Sequence, residues 1–451
     1  MNNAKSWQPI HSLELQHAIE SCARDVAGRL SEPSLVRELS KTAQERFGRP
    51  GPVWSDLDLA TGYPGLCILF GELDRLFPGE DWDVIGHSHL VELQCIIQAQ
   101  KLSSLSLWGG LSGIAIAVRA LSRGGIRYQG FIQTLQGVFL RHYQRNLSQA
   151  MLHLENGVHM GDYDVFEGFT GIGRYLLAFA EQPELRKVLC EVLTYLVRLS
   201  ENKTVDGQSV PGWHIPASHL ILPQEKIDFP SGNYNCGVAH GIPGPLALLS
   251  LSLSAGVEVP GQSQAIRRIA EWLLEWKQED RYGPFWPQRV AWEEQQTGLG
   301  GSGWQREAWC YGSPGVARTL WLAGKALDES GWKQTSLETF IALAHRPEED
   351  WNLHAPTLCH GFGGLLQMTQ RMYAESGDDQ LNVVRERLAW RILESFDRNT
   401  PFGFSEVIKT EHETSVLHSP GLLQGAAGTV LALLGLCSTQ EPEWDQVLLI
   451  T

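Results

Sequence analysis

Four stretches of the chain set chemically capable side chains directly before a glycine. Trp309-Cys310-Tyr311 precedes Gly312, Cys359-His360 precedes Gly361, and His240 precedes Gly241. The fourth, Asp162-Tyr163-Asp164-Val165-Phe166-Glu167, precedes Gly168. Two cysteines and a histidine suit Zn2+, which favours sulfur and nitrogen donors in tetrahedral geometry. Three protein ligands leave a fourth position open, as in a catalytic zinc site. An open position beside two thiolates suits a substrate thiol, because zinc holds a thiol deprotonated at neutral pH. Taken singly, each cysteine reads as a buried packing residue, since free cysteine is among the most buried residue types. Cys310 and Cys359-His360, however, stand at equivalent positions of a repeat.

The repeat is a phrase of Gly, two residues and Gly, followed by an apolar run. It begins at Gly62, Gly110, Gly168, Gly241, Gly312, Gly361 and Gly425. The spacing is irregular, which implies a fixed unit with variable insertions. After Gly65 come Leu66, Leu69, Phe70 and Leu73; after Gly171 come Ile172, Tyr175, Leu176 and Phe179. Both sets recur at i, i+3, i+4 and i+7, one face of a helix. Between phrases lie further stripes, such as Val188, Leu189, Val192, Leu193 and Leu196, or Ile266, Ile269, Trp272, Leu273 and Trp276. The pattern predicts an all-α chain of seven helix pairs, stacked as an open solenoid or closed as a toroid. The glycines are expected to allow tight turns and close backbone approach at each helix start.

Two polar, glycine- and proline-rich segments interrupt the pattern, near 200–238 and 279–306. They read as long loops. Trp286, Trp292 and Trp304 in the second are either available to a peptide or ligand, or packed locally. Cys236, four residues before His240, falls in a glycine-rich turn and reads as structural. Cys22, Cys67, Cys95, Cys190 and Cys437 read as helix packing. His153 and His159 read as loop residues.

The 451 residues are 43% hydrophobic and 19% charged, enough to bury a core and too little charge for a disordered chain. A net charge of -15 without a basic patch argues against a nucleic-acid partner. The N-terminus lacks a signal-peptide apolar run, and no stretch approaches a membrane span, so a cytoplasmic location is expected. Eight cysteines are too few for a disulfide scaffold.

With these motifs in place, the chain resembles the lanthionine synthetase C family, the stand-alone cyclases of class I lanthipeptide biosynthesis. The matching text is Arg306-Glu307-Ala308-Trp309-Cys310-Tyr311-Gly312, Cys359-His360-Gly361, Ala239-His240-Gly241-Ile242-Pro243-Gly244 and Tyr163-Asp164-Val165-Phe166-Glu167-Gly168. The resemblance implies a single 1–451 domain, an α/α toroid of seven inner/outer helix pairs with repeats over roughly 55–437. It implies formation of lanthionine or methyllanthionine rings, by addition of peptide cysteine thiols to dehydroalanine or dehydrobutyrine. Cys310, Cys359 and His360 match the family's ligands for one Zn2+ per chain. His240 matches its acid/base, Asp164 its essential aspartate, Arg306 an arginine that either stabilises enolate charge or positions Asp164, and Tyr311 a position beside the zinc. Asp162 stands close enough to Asp164 that the residues alone do not separate them.

Partners implied by the resemblance are a dehydrated precursor peptide of leader and core, a dehydratase and an exporter, which would bring the chain to the inner membrane face. A related branch of the superfamily keeps the zinc and acts on glutathione or dehydrated protein sites. A zinc scaffold without catalysis would be expected to close its metal with four protein ligands. A glycosidase needs two opposed carboxylates, and only the Asp162/Asp164/Glu167 cluster is available.

Overall fold

The computed structural model describes residues 7–47, 53–100, 102, 104–205, 207–301, 306–409 and 414–451. All seven glycine phrases open helices: Tyr63–Leu76, Leu111–Ala120, Phe169–Ala178, Pro243–Ser254, Ser313–Ala326, Phe362–Ser376 and Ala426–Leu434. Each of the first six is followed by a second helix: Trp82–Ala99, Gln129–Asn156, Pro183–Leu199, Gln262–Glu275, Ser330–His345 and Gln380–Glu394. The partner of the seventh comes from the other end of the chain, where Leu13–Arg29 packs on Ala426–Leu434. That helix carries no glycine phrase, so the repeat pattern did not include it.

Packing divides the chain into two compact units. One comprises Met1–Ser104, Trp108–Val138 and Asn352–Asp445. Within it the phrase helices pack in the order Phe362–Ser376, Ala426–Leu434, Tyr63–Leu76, Leu111–Ala120. The other comprises Leu105–Leu107, Phe139–Trp351 and Gln446–Thr451. There the order is Phe169–Ala178, Pro243–Ser254, Ser313–Ala326. The phrase helices are buried far beyond the one stripe read from sequence. Every residue from Tyr63 to Asp74 is buried, as is all of Ala426–Leu434. A helix apolar on all sides belongs inside a core. The second helices keep a wet face and bury the expected stripes, including Val188, Leu189, Val192, Leu193 and Leu196.

Space, rather than left-handed backbone, requires the phrase glycines. Gly62, Gly110, Gly361 and Gly425 cap their helices at φ of -110°, -144°, -128° and -152°, which any residue adopts. A Cβ on Gly428, however, would lie 1.8 Å from the Leu422 carbonyl oxygen and 2.7 Å from Leu358 Cδ1. One on Gly171 would lie 2.1 Å from the Val165 carbonyl oxygen and 2.8 Å from Leu107 Cβ. The missing side chains let consecutive turns touch and hydrogen-bond. In the unit built on Phe139–Trp351, Val165 N–H donates to Ala239 O at 3.1 Å and Ala239 N–H to Cys310 O at 3.3 Å. In the other, Leu358 and Cys359 N–H both donate to Leu423 O, and Leu423 N–H to Ala60 O. Within each unit, residues just before successive phrases are therefore brought side by side.

The two long segments are not structureless. Asn202–Val205 and Gln208–Pro211 form a hairpin. Asn233–Asn235 pairs antiparallel with Arg289–Ala291, joining the two segments with Asn235 opposite Arg289. Strands of three residues are too short for alternation to reveal. Trp286 is buried, with Nε1 donating to Leu273 O at 2.7 Å, so it packs rather than waits for a ligand. Trp304 lies outside the described residues.

One buried histidine makes the fold sensitive to acid. His89, on Trp82–Ala99, is fully buried and stacked on Phe70 at 5.1 Å. Its Nε2 lies 2.9 Å from Leu30 O, and its Nδ1 has no hydrogen-bond partner among the described residues. Protonation would bury a second, unsatisfied N–H, and burial pushes this imidazole down to about 4. The unfolded chain binds that proton near pH 6.5 and the folded chain does not. Stability is therefore lost as pH falls from about 6.5 to about 4, by up to about 3 kcal/mol. Denaturant titrations at pH 7 and 4.5 should show a smaller loss in His89→Gln than in wild type. Equal losses would mean that His89 is not held neutral.

Candidate metal centre and the groups around it

Cys310 lies in the turn before Ser313–Ala326, and Cys359 and His360 in the turn before Phe362–Ser376. Both thiols are buried and His360 is half-buried. One ligand atom from each of the three residues lies within 4.8 Å of the other two, a group that could hold a metal ion.

The histidine has a backing that the sequence reading did not anticipate. His360 Nε2 lies 2.7 Å from Oε1 of Glu406, a fully buried carboxylate. The other oxygen, Oε2, accepts from Thr357 Oγ1 at 2.5 Å. A buried carboxylate this close to Nε2 leaves Nδ1 as the ring nitrogen for a metal, and its negative charge beside the ring raises ligand basicity. Sulfur, sulfur and a carboxylate-backed imidazole fit zinc. Glu406 carried no periodic signal: it opens the strand Glu406–Lys409 just after a turn in which Phe402, Gly403 and Phe404 are buried in succession. Glu406→Gln should weaken zinc binding by about 10–100-fold. Competition with a chromophoric chelator measures this, and unchanged affinity would deny Glu406 the role.

A second cluster lies within the unit that carries Cys310. His240 Nδ1 is 2.6 Å from Asp164 Oδ2. Asp164 Oδ1 accepts the backbone N–H groups of Glu167 and Gly168, each at 2.7 Å. With 2% side-chain exposure, the carboxylate is fixed by the turn and aimed at one imidazole. His240 rests beside Phe166, with ring centroids 4.7 Å apart, and remains 28% exposed. Its Nδ1–H donates to Asp164, which leaves Nε2 for a reactant. Asp162 points elsewhere: it lies 2.9 Å from His153 Nδ1 and accepts from His159 N–H. His153 is on the helix Gln129–Asn156 rather than a loop, and His159 stacks on His219 at 3.8 Å.

Tyr311, next to Cys310, is held from two sides. Its oxygen is 3.0 Å from Arg289 Nη2 and 3.1 Å from Asn235 Nδ2, and Arg289 Nη2 is also 3.0 Å from Glu225 Oε1. Sequence reasoning did not single out Arg289, Asn235 or Glu225. Their partnership depends on strand pairing between distant segments and had no local signal. Arg306 is half-buried, and its carbonyl packs where a Cβ on Gly312 would intrude at 2.4 Å. Its neighbour Glu307 is pushed up to about 7, chiefly by burial, beside Arg346 at 3.3 Å.

The remaining cysteines divide. Cys236 is buried at a strand end, its thiol pushed up to about 12 by burial, as suits a structural residue. Cys22 and Cys67 are buried in helices, whereas Cys190 and Cys437 are only partly covered. Cys95 is exposed and does not pack, because it falls on the wet face of Trp82–Ala99.

The family model for lanthionine synthetase C-like proteins matches residues 53–449. The nisin biosynthesis protein NisC of Lactococcus lactis subsp. lactis is 22% identical over 401 residues, covering 88% of this chain and 90% of its own. A solved structure of nisin cyclase aligns with a TM-score of 0.76 at 20% identity, covering 93% of this chain and 98% of the other. At that identity the likeness shows the fold, the α/α-toroid class that the family resemblance implied and the seven phrases alone left open beside a solenoid.

Proposed function

The chain belongs to the lanthionine synthetase C-like family, and from that premise we propose that it is a zinc-dependent cyclase that forms thioether rings in a dehydrated peptide. The observation that carries the reading is the group Cys310, Cys359 and His360, three ligands with a carboxylate-backed imidazole. A structural zinc would be expected to take four protein ligands. NisC, by its name, belongs to nisin biosynthesis. The corresponding substrate here is a precursor peptide carrying dehydroalanine or dehydrobutyrine together with free cysteines.

Cys310, Cys359 and His360 would hold one zinc, with Glu406 orienting His360. Bound there, zinc supplies a centre that keeps a substrate thiol deprotonated at neutral pH. The sulfur pair forms a bond to the β-carbon of the dehydro residue. The alkene π pair moves toward the α-carbon and its carbonyl, giving an enolate. A proton delivered to the α-carbon completes an addition in which S–H and C=C become C–S and C–H. His240 delivers that proton from Nε2, with Asp164 fixing the orientation of the ring. Arg306 contributes positive charge toward the enolate.

Among the described residues no helix is long and apolar enough to cross a membrane. The chain would work in the cytoplasm, after a dehydratase and before an exporter at the inner membrane face. Purified protein should remove the alkylatable thiol of a dehydrated, cysteine-containing peptide without changing its mass. A zinc-loaded protein that leaves the thiol titre unchanged on every such peptide would contradict the reading.

A further inference from the structure

The Tyr311 hydroxyl oxygen has two N–H donors, Arg289 Nη2 at 3.0 Å and Asn235 Nδ2 at 3.1 Å. A phenol has two acceptor sites and one hydrogen to donate. Both acceptor sites are thus taken by donors that cannot accept in return. The amide orientation is fixed, because Asn235 Oδ1 accepts the Gly237 N–H at 2.9 Å and so turns Nδ2 toward the tyrosine. Arg289 is fixed as well. The same Nη2 reaches Glu225 Oε1 at 3.0 Å, and Nη1 donates to Gln288 O. Among the described residues the Tyr311 hydroxyl hydrogen has no acceptor.

The ring is held as firmly as its oxygen. The Arg289 guanidinium lies over it, 4.6 Å from the centroid. A Cβ on Gly237 would come within 2.4 Å of its Cδ1 and Cε1. Asn235 and Arg289 are register partners in the small antiparallel ladder, so the two long segments meet to place both donors on one oxygen. Tyr311 is half-buried, and its ring centroid is 6.3 Å from that of His240.

We infer that Arg289 and Asn235 are positioning residues that hold Tyr311 as an outward hydrogen-bond donor to the carbonyl oxygen of the dehydro residue. This rests on the cyclase reading and adds a role to it. As sulfur adds to the β-carbon, negative charge grows on that oxygen, and a donor fixed in advance strengthens its bond only then. The neighbouring His240 would serve the α-carbon while Tyr311 serves the carbonyl. The phenol keeps its proton throughout, so no further co-reactant is needed.

The test is a double-mutant cycle on the zinc-loaded enzyme with a dehydrated, cysteine-containing peptide. Tyr311→Phe should lower kcat about a hundredfold, with KM and zinc content little changed. Arg289→Met should lose a comparable factor, and the double variant should lose no more than Tyr311→Phe alone, since without the hydroxyl Arg289 has nothing to aim. Glu225→Gln disturbs Arg289 from a partly exposed position and keeps the test available if Arg289→Met does not fold. It should lower kcat in wild type and have no effect in Tyr311→Phe. Losses that multiply in the double variants, or full activity in Arg289→Met, would overturn the assignment while leaving the cyclase reading intact. A wild type inactive on every dehydrated peptide would overturn both.

Discussion

Cys310→Ala should bind no zinc tightly and form thioether rings at less than about a thousandth of the wild-type rate. Cys310 supplies one of three ligand atoms grouped within 4.8 Å, and alanine leaves only two donors. Such a site would not hold zinc against ordinary chelators, and a substrate thiol would have to react at its own unassisted pKa. The replacement removes a single sulfur from a buried turn, so the fold should persist with a loss of about 1–2 kcal/mol. Cys359→Ala should behave alike. Cys22→Ala is the control: that thiol is buried in Leu13–Arg29 and pushed up to about 12 by burial, and its removal should leave zinc and rate unchanged. Metal analysis beside a thiol-alkylation assay reads all three. Activity surviving in Cys310→Ala would remove the metal from the mechanism.

His240→Asn should keep its zinc and still lose about a hundredfold to ten-thousandfold in kcat. The pair it breaks is short and one-sided: Nδ1 to Asp164 at 2.6 Å, with the carboxylate buried and held by two backbone N–H groups. Asp164→Asn tests the orientation separately. An asparagine oxygen can still accept from Glu167 and Gly168 N–H, but the group then facing His240 Nδ1 is an amide N–H. The imidazole must then switch tautomer to pair with it, which turns the wrong nitrogen toward the reactant. A large loss in Asp164→Asn, with no further loss in the double variant, identifies one proton-transfer unit. Independent, multiplying losses would mean that Asp164 acts on its own. Retained zinc separates these variants from Cys310→Ala.

The placement of the candidate residues in the turns was readable because repetition made it so. Once seven phrases are aligned, Cys310, Cys359-His360, His240 and the aspartate motif fall just before a helix start, and the structure opens a helix at every phrase. The choice between Asp162 and Asp164 was not readable from the residues. It depends on which carboxylate the turn at Glu167 and Gly168 takes up, and the structure gives that place to Asp164. The N-terminal helix Leu13–Arg29 was missed as a partner because packing of the last phrase helix on a helix from the opposite end of the chain leaves no local mark. Arg289 and Asn235 were missed for a similar reason: a three-residue ladder between two irregular segments has no periodicity to detect. Glu406 was missed because it opens a four-residue strand directly after a turn, where burial of a carboxylate follows no periodic pattern.

The proposed cyclase requires a zinc with a position kept for the substrate thiol. Zinc-edge X-ray absorption on the purified protein, before and after addition of a dehydrated, thiol-bearing peptide, tests it most directly. One zinc per chain with two sulfur ligands, from Cys310 and Cys359, is expected, rising to three when the peptide is added. A sulfur count that does not change, or a centre already closed by four protein ligands, would contradict it.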